Sequence, residues 1–155
     1  MPAPNQPKGL VERALSWIGV KYRFGGQDEK KGVDCAGLVR RVFSSAVDLP
    51  RTAAQQFSHG CLVPREELQP GDLVFFRNTY KRGISHVGIY VGDGKFVHAA
   101  SRRRAVVVDR LDATYFSSRF AGGRRVVADV LPAIPDPVLT AVGSRLDDAS
   151  SADEH

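Results

Sequence analysis

Apolar residues change their spacing along this chain. From Gly9 to Gly19, Leu10, Val11, Ala14, Leu15 and Ile18 recur at helical intervals and predict a first amphipathic helix. Residues 19–33 contain Gly19, Gly25, Gly26 and Gly32 and read as a loop. A second helix is expected from about Cys35 to Val47, with Leu38, Val39, Val42, Phe43 and Ala46 on its buried face and Asp34 as N-cap. Pro50 closes that region, and a short helix is expected over 52–58. After Pro70-Gly71 the pattern changes to short runs rich in β-branched residues, separated by turn residues. Residues 72–77, 84–91, 95–100, 105–109 and 124–131 read as strands, with a helical excursion at 111–120. Helices first and strands afterwards imply an α+β fold, its N-terminal helices packed on an antiparallel sheet of about five strands.

These elements divide the chain into a flexible arm (1–8), one domain (9–131) and a Pro-containing acidic tail (132–155) expected to be disordered. A length of 155 residues with 43% hydrophobic content suits a single core. No internal repeat is visible, and no apolar run is long enough to span a bilayer. The N-terminal MPAPNQPKG lacks the apolar stretch of a secretory leader. That leaves cytosolic action, another export route or a leader already removed all open. Residues 133–155 carry a net charge of −4 within a total of +5, so residues 1–132 carry +9. Such a basic domain attracts polyanions. The pairs and triplets Arg40–Arg41, Lys81–Arg82, Arg102–Arg104 and Arg124–Arg125 form no single helical stripe, which disfavours nucleic acid as the partner.

Two cysteines are too few for a disulfide scaffold, although one bridge between Cys35 and Cys61 is conceivable. Cys35 falls in the first turn of the second helix, where free N–H groups and the helix dipole stabilise an anion. A thiol there is expected to have a lowered pKa and to act as a nucleophile. Its alternative is the ordinary buried core cysteine. A nucleophilic thiol needs a base. His59 and His155 read as surface residues, whereas His86 and His98 lie in one hairpin around Gly92-Asp93-Gly94. A three-residue turn would pair Val91 with Lys95, His98 with Gly88 and His86 with Ala100, placing both imidazoles on one face beside small residues. A two-residue turn at Asp93-Gly94 would instead slip the register and part them. The competing chemistry is zinc held by both histidines with Asp34 or Cys35, but no HExxH or CxxC spacing supports it.

Taken in order, several motifs resemble those of the NlpC family of papain-like peptidoglycan endopeptidases. They are Tyr22-Arg-Phe-Gly25-Gly26, Asp34-Cys35-Ala36-Gly37, Leu49-Pro50-Arg51-Thr52, LQPGDLVFF at 68–76 and SHVGIYVGDGKFVHA at 85–99. The resemblance implies a cysteine peptidase with Cys35 as nucleophile, His86 as general base and His98 orienting the His86 ring. It places Tyr22, Asp34 and Arg51 at the substrate or oxyanion, with Asp34 receiving the free amine of a stem peptide. The Cys35 N–H would contribute to the oxyanion hole. The implied substrate is the γ-D-glutamyl–diamino acid bond of peptidoglycan stem peptides or muropeptides. No metal or cofactor, no nucleic acid and no membrane span are expected. A monomer in the cell envelope or secreted is expected, with muropeptide recycling in the cytosol as the other setting and anionic wall polymers as further partners. Ala36 stands where the family commonly has serine, and Cys61 matches no motif position. Rival readings are another amidase or acyltransferase on the same fold, a non-catalytic wall-binding module, and a secreted antibacterial toxin.

Overall fold

A computed structural model describes residues 7–127. Helix α1 (Pro7–Ser16) buries Leu10 and Ala14 completely, as the apolar spacing requires. It begins two residues earlier than expected, so residues 7–8 belong to the helix and not to an arm. The remainder of the expected arm (1–6), the acidic tail and the end of the last expected strand lie outside the described residues. The glycine-rich loop holds two short strands, β1 (Gln27–Asp28) and β2 (Gly32–Val33), paired with each other. Helix α2 (Cys35–Val42) follows directly and ends earlier than its apolar spacing suggested, with Phe43 as C-cap. Helix α3 (Ala53–Gln56) opens with a capping box, Thr52 accepting from the Gln55 N–H while Gln55 accepts from the Thr52 N–H.

The main sheet has six strands in the order β3-β8-β4-β5-β6-β7, each antiparallel to its neighbours. They are β3 (Cys61–Val63), β4 (Leu73–Arg77), β5 (Ile84–Gly92), β6 (Lys95–Ala100), β7 (Ala105–Arg110) and β8 (Phe120–Arg125). The short helix α4 (Thr114–Ser117) sits within the expected excursion. Strand β3 is the addition to the expected sheet; three residues before Pro64 are too few to show a period. Strand β8 starts four residues before the expected 124 because Gly122 and Gly123 read as turn residues. Gly123 instead lies in the ladder where a Cβ would be crowded at 3.0 Å by the Val63 carbonyl oxygen and would displace the end of the Leu68 side chain.

Both faces of the sheet are covered, which explains why consecutive residues Leu73 to Phe76 are all buried. On one face Leu73, Phe75, Val87, Ile89, Val97 and Val106 pack against Leu38, Val39, Val42 and Phe43 of the helical layer. On the other, Val74, Phe76, Phe96 and Leu111 pack with Phe116 and Phe120.

The β5–β6 hairpin keeps the expected register by an unexpected route. Asp93 (φ 55°) and Gly94 (φ 72°) form a two-residue turn closed by the pair Gly92–Lys95. Alone, that turn would have parted the histidines. A bulge between Tyr90 and Gly92, with Gly92 at φ 103°, takes up one residue and restores the pairs Tyr90–Phe96 and Ile89–Val97. His86 and His98 therefore share a face.

Candidate active site

The N-terminus of α2 is anchored by a single carboxylate. Asp34 Oδ1 accepts from the Gly37 N–H at 2.7 Å and from Arg51 Nη1 at 3.1 Å. Its Oδ2 accepts from the Gly25 N–H at 3.1 Å and from Arg51 Nη2 at 3.0 Å. This is the N-cap read in the sequence, strengthened by a bidentate arginine. A Cβ on Gly37 would run into the Gly26 carbonyl, so the glycine loop lies directly on the helix. Both carboxylate oxygens already take two donors from within the chain. The role of receiving a substrate amine would thus fall on a group that is already bound. Arg51 likewise faces inward to Asp34 and the Gly26 carbonyl, and neither residue is among those lining the cavity at the thiol.

That cavity, about 500 Å³, brings together Tyr22, Cys35, His86 and His98. Thr79 and Tyr80 form part of its wall, with Arg102, Arg103, Tyr115 and Phe116 elsewhere around it. Cys35 and Cys61 are both free, Cys61 exposed on β3, so the conceivable disulfide is not formed. Burial pushes the Cys35 thiol up to about 11, an effect the Asp34 charge reinforces. Hydrogen bonds from the N–H groups of Val87, Ala36 and Cys35 itself oppose the rise without cancelling it. The lowered thiol pKa expected from helix position alone is therefore corrected: desolvation outweighs the helix N-terminus. Tyr22 is raised to about 12, chiefly by burial and then by Cys35, so its hydroxyl keeps its proton.

His86 Nε2 lies 2.8 Å from His98 Nδ1, with the two rings nearly perpendicular. Burial, aided by repulsion from His98, brings His86 down to about 3, and burial also lowers His98. Both imidazoles are neutral at physiological pH. His98, only 2% exposed, packs against Phe96 and the edge-on ring of Phe116 at separations of 4.6 and 5.3 Å. Its Nε2 lies 2.8 Å from Asp109 Oδ2, and Asp109 Oδ1 accepts from Arg103 Nη2 at 2.7 Å. With both ring nitrogens engaged, His98 has none left for a metal, and no metal-binding cluster of His, Cys, Asp and Glu occurs among the described residues. Asp109 and Arg103 were missed in the sequence. They were legible there in principle: a four-residue turn at 101–104 pairs Ala100 with Ala105 and His98 with Val107, which puts Asp109 diagonally beside His98 on the same face.

Helices capping one face of an antiparallel sheet, with a helix-terminal thiol beside a strand-borne imidazole pair, define a papain-like α+β domain. The chain belongs to the NlpC/P60 family, whose model matches residues 19–125. It is 47% identical over 118 residues to a gamma-DL-glutamyl hydrolase of Bacillus subtilis, covering 75% of this chain and 28% of that protein. To the probable endopeptidase NlpC of Escherichia coli it is 40% identical over 120 residues, covering 76% of this chain and 77% of the relative. A crystal structure of an NlpC/P60 family protein from Bacillus cereus superposes with a TM-score of 0.72 at 30% identity, covering 81% of this chain and 41% of that one. The NlpC/p60 domain of the peptidoglycan hydrolase SagA gives a TM-score of 0.68 at 27% identity, covering 78% of this chain and 99% of that domain. The chain spans less than two thirds of the length of the first curated relatives it matches, between 28% and 63%.

Proposed function

We propose that this protein is a cysteine peptidase that hydrolyses peptidoglycan stem peptides, with Cys35 as nucleophile and His86 as general base. The observation carrying this reading is the 2.8 Å His86–His98 pair opening into the same cavity as the Cys35 thiol. Family membership supplies the substrate class, since relatives are named murein endopeptidases and a γ-glutamyl hydrolase. The bond in question is the amide between γ-D-glutamate and a diamino acid, and the setting is the cell wall, with the protein acting as a monomer.

The resting pair is a neutral thiol and a neutral imidazole. As the sulfur attacks the amide carbonyl, its proton passes to His86 and the S–C bond forms. The Cys35 main-chain N–H, at the start of α2, is the donor assigned to the developing oxyanion. The C–N bond then breaks, and the proton on His86 goes to the leaving amine. Water adds to the thioester, giving one proton to His86; the S–C bond breaks and that proton returns to the sulfur. His98 holds the His86 ring throughout, while Asp34 and Arg51 fix the helix end that carries the thiol. Tyr22 offers a protonated hydroxyl to the bound substrate.

Mass spectrometry of muropeptide digests tests this. Wild-type protein should cut at the γ-D-glutamyl–diamino acid bond. Cys35→Ala should lose on the order of a thousandfold or more in rate. Chelators should leave activity unchanged. Full activity in Cys35→Ala, or loss of activity on chelation, overturns the mechanism. Transfer of the acyl group to an added amine without hydrolysis would favour an acyltransferase instead.

A further inference from the structure

The contact between His98 and Asp109 decides more than the placement of one ring. We propose that Asp109, clamped by Arg103, is a positioning residue that sets the tautomer of His98 and, through it, the tautomer of His86. The kinetic side of this proposal rests on the peptidase reading; its structural side does not.

A carboxylate can only accept, so His98 must present its N–H at Nε2, 2.8 Å from Asp109 Oδ2. A neutral His98 then carries a lone pair at Nδ1. His86 Nε2, 2.8 Å away, must donate to it. The one ring nitrogen of His86 left with a lone pair is Nδ1, the atom available to take a proton from a thiol in the shared cavity. The opposite tautomer of His98 would donate from Nδ1, require His86 to accept at Nε2 and leave an N–H where the base must be. With its ring packed against Phe96 and Phe116 and only 2% exposed, His98 has little access to water that could satisfy either nitrogen in place of Asp109. Asp109 is tied at its second oxygen by Arg103 Nη2 at 2.7 Å, so its Oδ2 stays aimed at His98. It stays ionised because the His98 hydrogen bond, and then Arg103, hold it below the usual carboxylate range.

The arrangement makes Asp109→Asn an informative isostere. Arg103 is donor-only and claims the amide carbonyl, which turns the amide NH2 toward His98 Nε2. The relay should then invert, and His86 should carry its proton at Nδ1. Nitrogen-15 NMR of the imidazoles reads this directly, without substrate. Wild-type His86 should be protonated at Nε2, Asp109→Asn should move the proton to Nδ1, and Asp109→Ala should give a mixture. In turnover, Asp109→Asn should lower kcat by about 100-fold with little change in KM, the pattern of a mis-set tautomer. In a His98→Ala background, which removes the group linking Asp109 to His86, the same substitution should cost less than roughly 3-fold.

A wild-type His86 protonated at Nδ1, or an unchanged imidazole spectrum in both Asp109 variants, overturns the proposal. An equal loss in the His98→Ala background also overturns it, because a purely structural role would persist there. If wild type cleaves no muropeptide while the tautomer inverts as expected, the peptidase reading falls and the relay stands.

Discussion

Cys35 is held between opposing influences. Its position at the start of α2 and three nearby N–H groups favour the thiolate, while burial and Asp34 oppose it and prevail. A thiol raised to about 11 is protonated throughout the neutral range, and its thiolate fraction grows tenfold per pH unit below that value. In a Cys61→Ser background, alkylation by iodoacetamide should therefore accelerate about tenfold per unit between pH 8 and 10. A rate that is flat over that range would mean that the thiolate is already formed and that a resting ion pair with His86 replaces the neutral pair. The neutral resting state assigns the activating step to the bound substrate, whose attack geometry coincides with proton transfer to His86.

At the level of elements, one ion pair connects β8 to the start of β4. Arg125 on β8 donates from Nε and a terminal nitrogen to both oxygens of Asp72 just before β4, each at 2.8 Å, and Asp72 is fully buried. The Gln69 N–H satisfies Asp72 further at 2.8 Å. Burial raises the Asp72 carboxyl, with Arg125 opposing the rise, so the charge depends on its partner. Arg125→Ala should cost about 3–5 kcal/mol, seen as a fall in the urea unfolding midpoint. A loss below about 1 kcal/mol would show that water reaches Asp72 and satisfies it. The sequence made α1, α2 and β4 to β7 legible because their apolar periods are long or their β-branched runs are clean. It hid β3 for want of length and displaced β8 because glycine looks the same in a turn as in a crowded ladder. Asp34, Cys35, His86 and His98 were legible from cap chemistry, hairpin parity and motif order. Asp109 was not found, since the expected β7 was never paired with β6 and the diagonal contact depends on that pairing. The thiol pKa was misjudged because a helix position is written in the sequence and the depth of burial is not.

Across the whole molecule, part of the basic character of residues 1–132 is paired with the chain's own carboxylates. Arg51, Arg103 and Arg125 each hold a carboxylate of this chain. Arg103 and Arg125, counted in the sequence among scattered basic pairs and triplets, thus serve in part to hold carboxylates of the chain itself. The remaining charge still favours an anionic partner such as a wall polymer. Co-sedimentation with purified sacculi should weaken severalfold from 0.1 to 1 M NaCl, as the screening length shrinks from ~10 to ~3 Å. Retention that ignores salt would assign wall attachment to uncharged contacts.

The bulge at Gly92 carries one more consequence. It acts as a phase corrector: the hairpin reaches the correct parity only because an odd residue in the strand offsets an even-length turn. Chain length here therefore has one residue of slack on the β5 side. Exchanging Lys95, exposed at the start of β6, leaves the count intact. Deleting one residue between Val91 and Gly94 would remove the bulge and leave a regular two-residue hairpin that still pairs Tyr90 with Phe96, so His98 would keep its face. For a lineage carrying this hairpin, the extra residue is a spare: its loss would straighten β5 and leave the His86–His98 pair on one face.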